Sequence, residues 1–232
     1  MAEEFFRFPH TPHIVWLGEG TPRDDKVLEL SEATRLLRNP IIVEEKVDGA
    51  NLGLSVGADG QVRAQNRGQY LQRPYAGQFT RLNSWLANHE YILRDALGKN
   101  LILFGEWSAA SHNIAYDRLP DYFLVFDVYD RTVGRFWNGS RRDLFATSLE
   151  LTVIRPVDSG IYSLGELKQM IQDTQSAYRE GPCEGLYLRW QDASWLTMRA
   201  KLVRTDFVQG IQAHWRSRSL TWNKILTPSL RP

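Results

Sequence analysis

The stretch Glu44-Glu45-Lys46-Val47-Asp48-Gly49-Ala50-Asn51 places a lysine where a strand ends and a glycine turn begins. Apolar, β-branched residues predict a strand over 41–45, and residues 52–56 predict the strand after the turn. A lysine at such a strand end exposes its side chain at the rim of the sheet, while its backbone is held by the sheet. Its amine can act as a nucleophile if desolvation or nearby cations depress its pKa. The K-x-D-G pattern alone is a weak signal, because most strand-end turns of this kind are structural.

The rest of the chain alternates between strand-like and helix-like patterns. Further strands are predicted over 61–66, 101–107, 122–129, 185–191 and 195–203, and helices over 78–97, 140–149, 163–173 and 205–215. The first 25 residues hold three prolines and are expected to be mostly irregular. Predicted helix N-caps are Ser140, Thr205 and Ser163, the last in a capping box with Glu166. The pattern indicates an α+β class built around a largely antiparallel sheet.

Composition places the chain among ordinary globular proteins. Its 232 residues are 43% hydrophobic and 24% charged, with a formal net charge of +1, which is typical of neither a disordered chain nor a fibre. No stretch approaches the ~20 apolar residues of a membrane helix, and the acidic N-terminus lacks a signal-peptide pattern. The single cysteine, Cys183, excludes an internal disulfide and a cysteine metal cluster. We therefore expect a cytoplasmic protein with no membrane partner.

The near-neutral net charge conceals two basic stretches. Residues 199–232 carry seven basic side chains against one acid, so the first 198 residues carry a net charge of −5. Residues 63–81 hold four arginines and no acid, and Tyr70, Tyr75 and Phe79 lie among them. Basic and aromatic side chains together favour binding of a phosphate-bearing chain, with a solvated surface as the alternative.

Five short motifs follow the lysine in order, whereas P-loop, HExxH and dinucleotide-type glycine motifs are absent from the sequence. They are Arg67, Phe104-Gly105-Glu106, Phe123 to Asp127, Glu184-Gly185-Leu186 and Arg199-Ala200-Lys201. With Lys46, the series resembles the covalent nucleotidyltransferase superfamily of ATP-dependent polynucleotide ligases and mRNA capping enzymes, over about residues 41–204. Asn51 stands where DNA ligases and capping enzymes usually carry arginine, and Glu45 precedes the lysine. In both respects the chain is similar to the nick-sealing branch of the RNA ligases.

The resemblance implies both a fold and a reaction. The fold would be an ATP-grasp-like nucleotidyltransferase domain of largely antiparallel sheets with flanking helices. Lys46 would attack the α-phosphate of ATP, release pyrophosphate and keep the AMP as a lysyl-AMP. The AMP would pass to an RNA 5′-phosphate, and a 3′-hydroxyl would then displace it, with Mg²⁺ or Mn²⁺ as the metal. Covalent catalysis of this kind splits a difficult condensation into easier steps.

The same resemblance implies a role for each remaining site residue. Glu45 would lie beside the adenine, Glu106 would hold the ribose hydroxyls, and Phe126 would stack on the adenine face. Glu184 would position the metal, and Lys201 would contact the α-phosphate. Plainer alternatives are a solvent-facing strand carboxylate for Glu106, a core ring for Phe126 and a turn residue for Glu184.

One motif departs from the family pattern. The final motif is usually K-x-K, but this chain has Arg199-Ala200-Lys201. Residues 199 and 201 share a strand face, so Arg199 can reach phosphate, and we expect it to replace the first lysine. The alternative register, Lys201-Leu202-Val203, lacks the second lysine. Asn51 and Arg67 are expected to contact the 5′-phosphate end of the acceptor strand.

We expect a single adenylyltransferase domain over residues 1–232. About 28 residues follow Arg204, which leaves no room for the OB domain that many polynucleotide ligases carry. Residues 205–232 are predicted to form a C-terminal helix and a basic tail whose phosphate contacts would add affinity. The expected partners are RNA ends or a nicked duplex and an end-healing kinase or phosphatase. The chain itself is expected to be a monomer.

Two other classes of function stay open on the sequence. A DNA-joining ligase or a GTP-using capping-type enzyme would keep the fold and change the substrate, and Asn51 argues against both. A non-catalytic domain that binds RNA or a nucleotide would use the basic stretches but would not need a nucleophilic lysine. An ATP-dependent RNA ligase accounts for the full set of candidate residues.

Overall fold

Two antiparallel sheets with helices on their outer faces form the fold. The computed structural model describes residues 5–20, 22, 26–210 and 220–226. The helices are α1 (Leu30–Leu37), α2 (Leu82–Leu97), α3 (Gly139–Ser148), α4 (Leu164–Asp173) and α5 (Thr205–Gly210). The strands are β1 (Ile41–Lys46), β2 (Ala50–Val56), β3 (Val62–Gln65), β4 (Leu101–Trp107), β5 (Phe123–Asp130), β6 (Arg135–Phe136), β7 (Pro156–Gly160), β8 (Gly185–Gln191) and β9 (Leu196–Val203). A 3-10 turn, Gly77–Phe79, precedes α2.

The turn that carries the lysine motif joins the two sheets. One sheet has four strands in the order β7-β1-β8-β9, and the other has five in the order β3-β2-β4-β5-β6. The strand pairings within both are antiparallel. β1 and β2 are consecutive in the chain but belong to different sheets. Lys46, the last residue of β1, therefore lies where the chain passes from one sheet to the other.

Each sheet has an apolar face that packs against helices. Leu54 and Leu103 of the five-stranded sheet lie in one buried cluster with Leu86 of α2. Val43 of the four-stranded sheet lies in another cluster with Leu167 of α4. Because side chains alternate along a strand, the polar residues of both sheets point the other way. The predicted α+β class of largely antiparallel sheets is confirmed, and its polar faces enclose the candidate site.

Most predicted elements are present within two residues of their predicted ends. β4 and β8 have the predicted bounds, and the capping box of α4 is confirmed, with Ser163 and Glu166 bonding reciprocally. The hairpin signal before β3 is confirmed by its antiparallel pairing with β2 and by the positive φ of Gly60, 77°. No described helix is long and apolar enough to cross a membrane.

Two predicted helix caps were wrong. α3 begins at Gly139, and its cap is Asn138, whose side chain accepts a hydrogen bond from the backbone N–H of Arg141. Thr205 is the first residue of α5, and its hydroxyl donates to the Leu17 carbonyl at 3.3 Å. The predicted helix over 78–97 begins only at residue 82, after the 3-10 turn. Residues 211–215 of the last predicted helix lie outside the described residues.

Three described elements were not predicted. They are α1, β6 and β7. Four of the five residues of β7 are exposed, so the strand lacks the alternation that marks a half-buried strand. α1 has only eight residues, too few for a clear helical period.

Residues 220–226, part of the predicted basic tail, form a segment that packs against the loop over 108–119. Backbone bonds link Ser111 to Thr221 at 2.9 Å and Leu119 to Lys224 at 3.2 Å. Asn223 is buried, and its side chain donates to the Ser108 carbonyl at 2.8 Å while accepting from the N–H of Tyr116 at 2.8 Å. This C-terminal segment therefore helps to fix a loop that borders the site.

Candidate active site

A cavity of about 530 Å³ lies between the polar faces of the two sheets. Among the residues that line it are Glu45, Lys46, Asn51, Arg67, Glu106, Phe126 and Lys201. These predicted site residues come from β1, β2, the loop after β3, β4, β5 and β9. Glu184 contacts Lys46 directly, whereas Arg199 is not among the described residues that line the cavity.

Lys46 forms an ion pair with Glu184 at the end of β1. Its Nζ donates to both carboxylate oxygens of Glu184, each at 2.7 Å. The pair is mostly buried, with 24% of the lysine side chain and 10% of the glutamate side chain exposed. Burial acts to lower the pKa of Lys46, but Glu184 and two neighbouring carboxylates outweigh it and raise that pKa above its ordinary value. The protein's own charges therefore hold Lys46 as an ammonium and do not supply the depressed pKa that a nucleophile needs.

The turn after Lys46 is held by the loop over 108–119. Oδ2 of Asp48 accepts hydrogen bonds from the backbone N–H groups of residues 113–114, at 2.7 and 3.0 Å. The N–H of Asp48 donates to the hydroxyl of Tyr116 at 2.8 Å. Gly49 is required here, because a Cβ would meet a backbone carbonyl oxygen of β4 at 2.8 Å. Asp48 and Gly49 thus make the turn, as the sequence predicted.

Glu106 of β4 adds a second, half-buried carboxylate to the neighbourhood of Lys46. Desolvation by burial raises its pKa to about 8, against the opposing influence of the Lys46 charge. The negative charges of Asp48 and Glu184 act in the same direction as burial. Burial also raises the pKa of Glu184. Near neutral pH Glu106 is therefore largely protonated and able both to donate and to accept a hydrogen bond.

The two phenylalanines of the β5 motif point to opposite sides of the sheet. Phe123 is buried in the cluster beneath α2, with its ring 5.3 Å from that of Trp85. The half-buried Phe126 lines the cavity, and its ring meets Phe8 in an edge-on contact at 5.4 Å. Phe126 therefore presents aromatic surface to the cavity, whereas Phe123 is a core residue.

The two adjacent glutamates of β1 also differ in direction. Glu45, predicted to lie beside a base, accepts hydrogen bonds from the Ser176 hydroxyl at 2.5 Å and from the Ala177 N–H at 2.8 Å. Glu44 also lines the cavity and accepts a hydrogen bond from the buried Arg142 at 2.7 Å. The sequence reasoning overlooked Glu44, although strand alternation places residues 44 and 46 on one face.

The two basic residues of the β9 motif lie in different surroundings. Lys201 lines the cavity, and its backbone N–H donates to the Pro12 carbonyl at 2.8 Å. The Lys201 carbonyl accepts from the N–H of Ile14 at 2.9 Å. Arg199 instead forms an ion pair with the buried Asp127 at 2.6 Å. The expected phosphate role of Arg199 stays a prediction, and its side chain is paired with Asp127 and is not among the described residues that line the cavity.

Asn51 and Arg67 line the part of the cavity formed by the five-stranded sheet. Asn51 lies opposite Glu106 in the pairing of β2 with β4. Oδ1 of Asn51 and Nε of Arg67 are buried and have no hydrogen-bond partner among the described residues. Because an unpaired buried polar atom is costly, these two atoms are suited to polar groups of a ligand.

Other lining residues come from segments that the sequence did not mark as functional. They include Phe8, His10 and Thr11 of the N-terminal segment and His112 of the loop over 108–119. Nε2 of His112 lies 2.6 Å from Oε1 of Gln78. The N-terminal segment carries no regular hydrophobic period, so no local pattern could have placed it at the cavity.

Comparison with known proteins agrees with this geometry. The family model described as RNA ligase matches residues 39–203, and the chain belongs to the RNA ligase family. The matched range contains all of the predicted site residues. Phe8, His10 and Thr11, which also line the cavity, precede it.

Solved structures of RNA ligases share the fold. Naegleria gruberi RNA ligase with PPi aligns with a TM-score of 0.61 and 17% identity, over 77% of this chain and 54% of that one. A variant of the Naegleria ligase with ATP and Mn aligns with a TM-score of 0.58 and 14% identity, over 78% of this chain and 54% of that one. An archaeal ATP-dependent RNA ligase aligns with a TM-score of 0.55 and 18% identity, over 84% of this chain and 48% of that one. The chain thus spans about half the length of these ligases, and no curated protein sequence matches it.

Proposed function

We propose that this protein is an ATP-dependent RNA ligase that joins a 3′-hydroxyl to a 5′-phosphate through a lysyl-AMP and an RNA-adenylate. The observation that carries the proposal is the single cavity at which a strand-end lysine, buried carboxylates, an aromatic ring and a second lysine meet. Membership of the RNA ligase family supports the same reaction. So does structural similarity to ligases solved with PPi or with ATP and Mn.

Each proposed role is the one that the family resemblance implies, and the place of the side chain at the cavity supports it. Lys46 forms the adduct with AMP, and Phe126 stacks on the adenine. Glu106, largely protonated near neutral pH, hydrogen-bonds the ribose hydroxyls. Lys201 contacts the α-phosphate and offsets its developing charge. Glu45 borders the adenine from β1 while its carboxylate is held by the loop at 176–177.

Lys46 must become a neutral amine before it reacts. The ammonium first releases its proton to water in the cavity. The Nζ lone pair then forms a P–N bond with the α-phosphorus, the P–O bond to the β-phosphate breaks, and pyrophosphate leaves with the bonding electrons, while Nζ gives its second proton to water. The ion pair with Glu184 keeps the amine pointed into the site before the reaction.

The buried carboxylates beside Lys46 fit a hard divalent cation. Glu184 would hold Mg²⁺ or Mn²⁺, because these ions prefer oxygen ligands. No group of three or more His, Cys, Asp or Glu side chains that could hold a metal is found in the described part of the chain. Ligand phosphates and water would therefore supply the other ligands. When bound, the cation supplies positive charge beside Glu184, which lowers the pKa of Lys46.

Asn51 and Arg67 are proposed to bind the acceptor strand. The unpaired Nε of Arg67 is a charged donor suited to a 5′-phosphate, and the amide of Asn51 lies in the same wall of the cavity. We propose a nicked duplex as the substrate, with ends prepared by a separate kinase or phosphatase. The catalytic unit would be one monomeric domain over residues 1–232. The single cysteine, Cys183, favours a reducing compartment, so we place the reaction in the cytoplasm.

Covalent labelling tests the proposal. The purified protein is incubated with ATP labelled at the α-phosphate and with Mg²⁺ or Mn²⁺, denatured and examined for bound label. We expect labelling that Lys46→Ala abolishes and that Lys99→Ala, which changes an exposed lysine outside the cavity, leaves intact. Labelled GTP in parallel separates a capping-type enzyme from a ligase. RNA and DNA nicks offered to the labelled protein then define the acceptor.

Intact mass before and after treatment with pyrophosphate detects protein that was purified already carrying AMP. The absence of both label and AMP adduct would overturn the proposal. It would favour a domain that binds RNA or a nucleotide without covalent chemistry. Full sealing activity in Lys46→Ala would overturn the assignment of the nucleophile.

A further inference from the structure

We infer that Arg199 is a positioning residue of the nucleobase subsite and does not contact phosphate. The inference rests on the proposed function, because it takes Phe126 as the ring that stacks on the base. It departs from the expectation that Arg199 replaces a phosphate-binding lysine of the final motif. Three observations carry it: the partners of the guanidinium, the rings that it stacks on, and the place of its ionic partner next to Phe126.

The guanidinium of Arg199 is held by groups of the protein. Its Nη1 lies 2.6 Å from Oδ2 of Asp127, whose side chain is fully buried, and 3.4 Å from the hydroxyl of Tyr187. Only 11% of the Arg199 side chain is exposed. By contrast, Lys201 on the same strand lines the cavity. The two basic residues of the motif therefore face different partners, and only Lys201 is placed to meet a ligand.

The guanidinium also packs against rings that lead to Phe126. It lies over Phe136 at 4.1 Å and over Phe8 at 4.7 Å from the ring centroids. Phe8 is buried and meets Phe126 edge-on at 5.4 Å. Arg199, Phe8 and Phe126 thus form a continuous packed row from β9 to the cavity. A change at Arg199 is transmitted to the ring through direct contacts.

The ionic partner of Arg199 immediately follows that ring in β5. Asp127 is also bound by Nη2 of Arg189 at 2.8 Å. Arg189 and Arg142 both donate to the backbone carbonyl of Phe126, at 3.1 and 2.8 Å. The backbone at 126–127 is therefore held by side chains from the opposite sheet and from α3, and Arg199 is the contributor from β9. Without the Arg199 guanidinium, Asp127 keeps only the contact with Arg189, and the Phe8 ring loses the cation that packs on its face.

Arginine suits this task better than the lysine of the family pattern. A planar guanidinium can pair with a carboxylate through its edge and stack on rings through its face, whereas an ammonium cannot do both. A phosphate contact would tolerate the change, since a lysine also binds phosphate, as a point charge. The variant Arg199→Lys therefore separates the two roles.

Binding of adenosine provides the test, because adenosine has a base and a ribose but no phosphate. Affinity is measured by calorimetry for the full-length protein and its variants. We expect Arg199→Lys to weaken adenosine binding by roughly tenfold or more, through loss of the stacked row. The matched control Arg204→Lys, on a residue that pairs with Asp206 outside the cavity, is expected to leave the affinity unchanged. Lys201→Ala is expected to lose covalent labelling and keep adenosine binding.

A second variant covers the case in which Arg199→Lys fails to fold. Phe8→Leu leaves the pair of Arg199 with Asp127 in place and interrupts the row of rings, so it is also expected to weaken adenosine binding. Normal adenosine affinity in either folded variant overturns the inference, as does a wild-type protein that binds no adenosine. These results are separate from the covalent labelling of Lys46. If the wild type is labelled and Arg199→Lys binds adenosine normally, only the inference is refuted. If Arg199→Lys loses adenosine affinity but the wild type is not labelled, only the proposed reaction is refuted.

Discussion

Two groups of buried charges lie between the same two sheets, and their charges are balanced differently. In one group, three arginines and two carboxylates pair with one another. Arg142 and Glu44 lie 2.7 Å apart with 1% and 2% of their side chains exposed, and Arg189 and Asp127 lie 2.8 Å apart with 0% exposed. The fifth member, Arg199, completes the group through Asp127.

Beside Lys46 the balance is tilted towards negative charge. The lysine pairs with Glu184 at 2.7 Å, and the charge of Asp48 also acts on it, together with that of Glu106 where this acid is ionised. Burial raises the pKa of Glu106 to about 8 and raises that of Glu184 as well. Perturbed acids in a cavity indicate a functional site, whereas mutually paired buried charges are what a structural joint requires. We infer that the paired group holds the two sheets and that the unbalanced group does the chemistry.

Lys46→Arg is the sharpest way to break this comparison, because it keeps the charge and removes the nucleophile. A guanidinium can still pair with Glu184 but does not lose a proton in proteins. We expect the AMP adduct to fall by at least roughly a thousandfold, as measured by intact mass after incubation with ATP and metal. Thermal unfolding should stay close to that of the wild type. An AMP adduct on the variant would show that Lys46 is not the nucleophile.

Arg142→Met tests the paired group. The change leaves Glu44 buried, with its remaining cation, Arg189, at 3.9 Å. Breaking a buried pair in this way costs about 3–5 kcal/mol of unfolding free energy, which urea denaturation measures. Arg94→Met, on the exposed face of α2, is the control and should change stability by less than about 0.5 kcal/mol. Equal effects at the two sites would contradict a structural role for the buried group.

Glu106→Gln shows its effect through pH. The folded protein raises the pKa of Glu106 from 4.5 to about 8, so the proton is bound more tightly when the chain is folded. The resulting stability is fully present below about pH 4.5 and is lost as pH rises through about 8. Glutamine stays neutral. The variant should therefore gain stability relative to the wild type as pH rises in this window, by at most about 1.4 kcal/mol per pH unit.

Urea denaturation at several pH values between 5 and 8 measures that difference. Comparison with the wild type at each pH removes the contributions of the other acids. A difference that does not change with pH would mean that Glu106 titrates normally.

Much of the fold could be predicted because its strands carry local signals. The apolar run of β4 predicted the bounds of that strand, and the turn that flanks β8 predicted the bounds of β8. Both strands have these bounds in the structure. The cap of α3 could not be fixed in the same way, because Asn138 and Ser140 are both good cap residues and lie two positions apart. Packing, which the sequence does not show, decides between them.

The site was predictable as a set of residues but not as an arrangement of charges. The order of motifs placed Lys46, Glu106, Phe126 and Lys201 at one cavity, where the structure has them. The pKa of Lys46 depends on Glu184, which lies 138 positions away, and its direction could not be read from neighbouring residues. Arg199 shows the same limit. Its strand position was predicted, whereas its pairing with Asp127 depends on how the two sheets meet.

The C-terminal segment over 220–226 has a consequence for the order in which the protein folds. Asn223 makes its hydrogen bonds with residues 108–116 across sequence separations of 107 to 115 positions. Such contacts close late, because a long loop must be ordered before they form. During synthesis from the N-terminus, residue 223 is made 20 residues after the last strand, β9, ends at Val203. The loop that holds Asp48, and with it the setting of Lys46, is therefore completed only after this later segment has been made, so a nascent chain can form its sheets before its reactive centre.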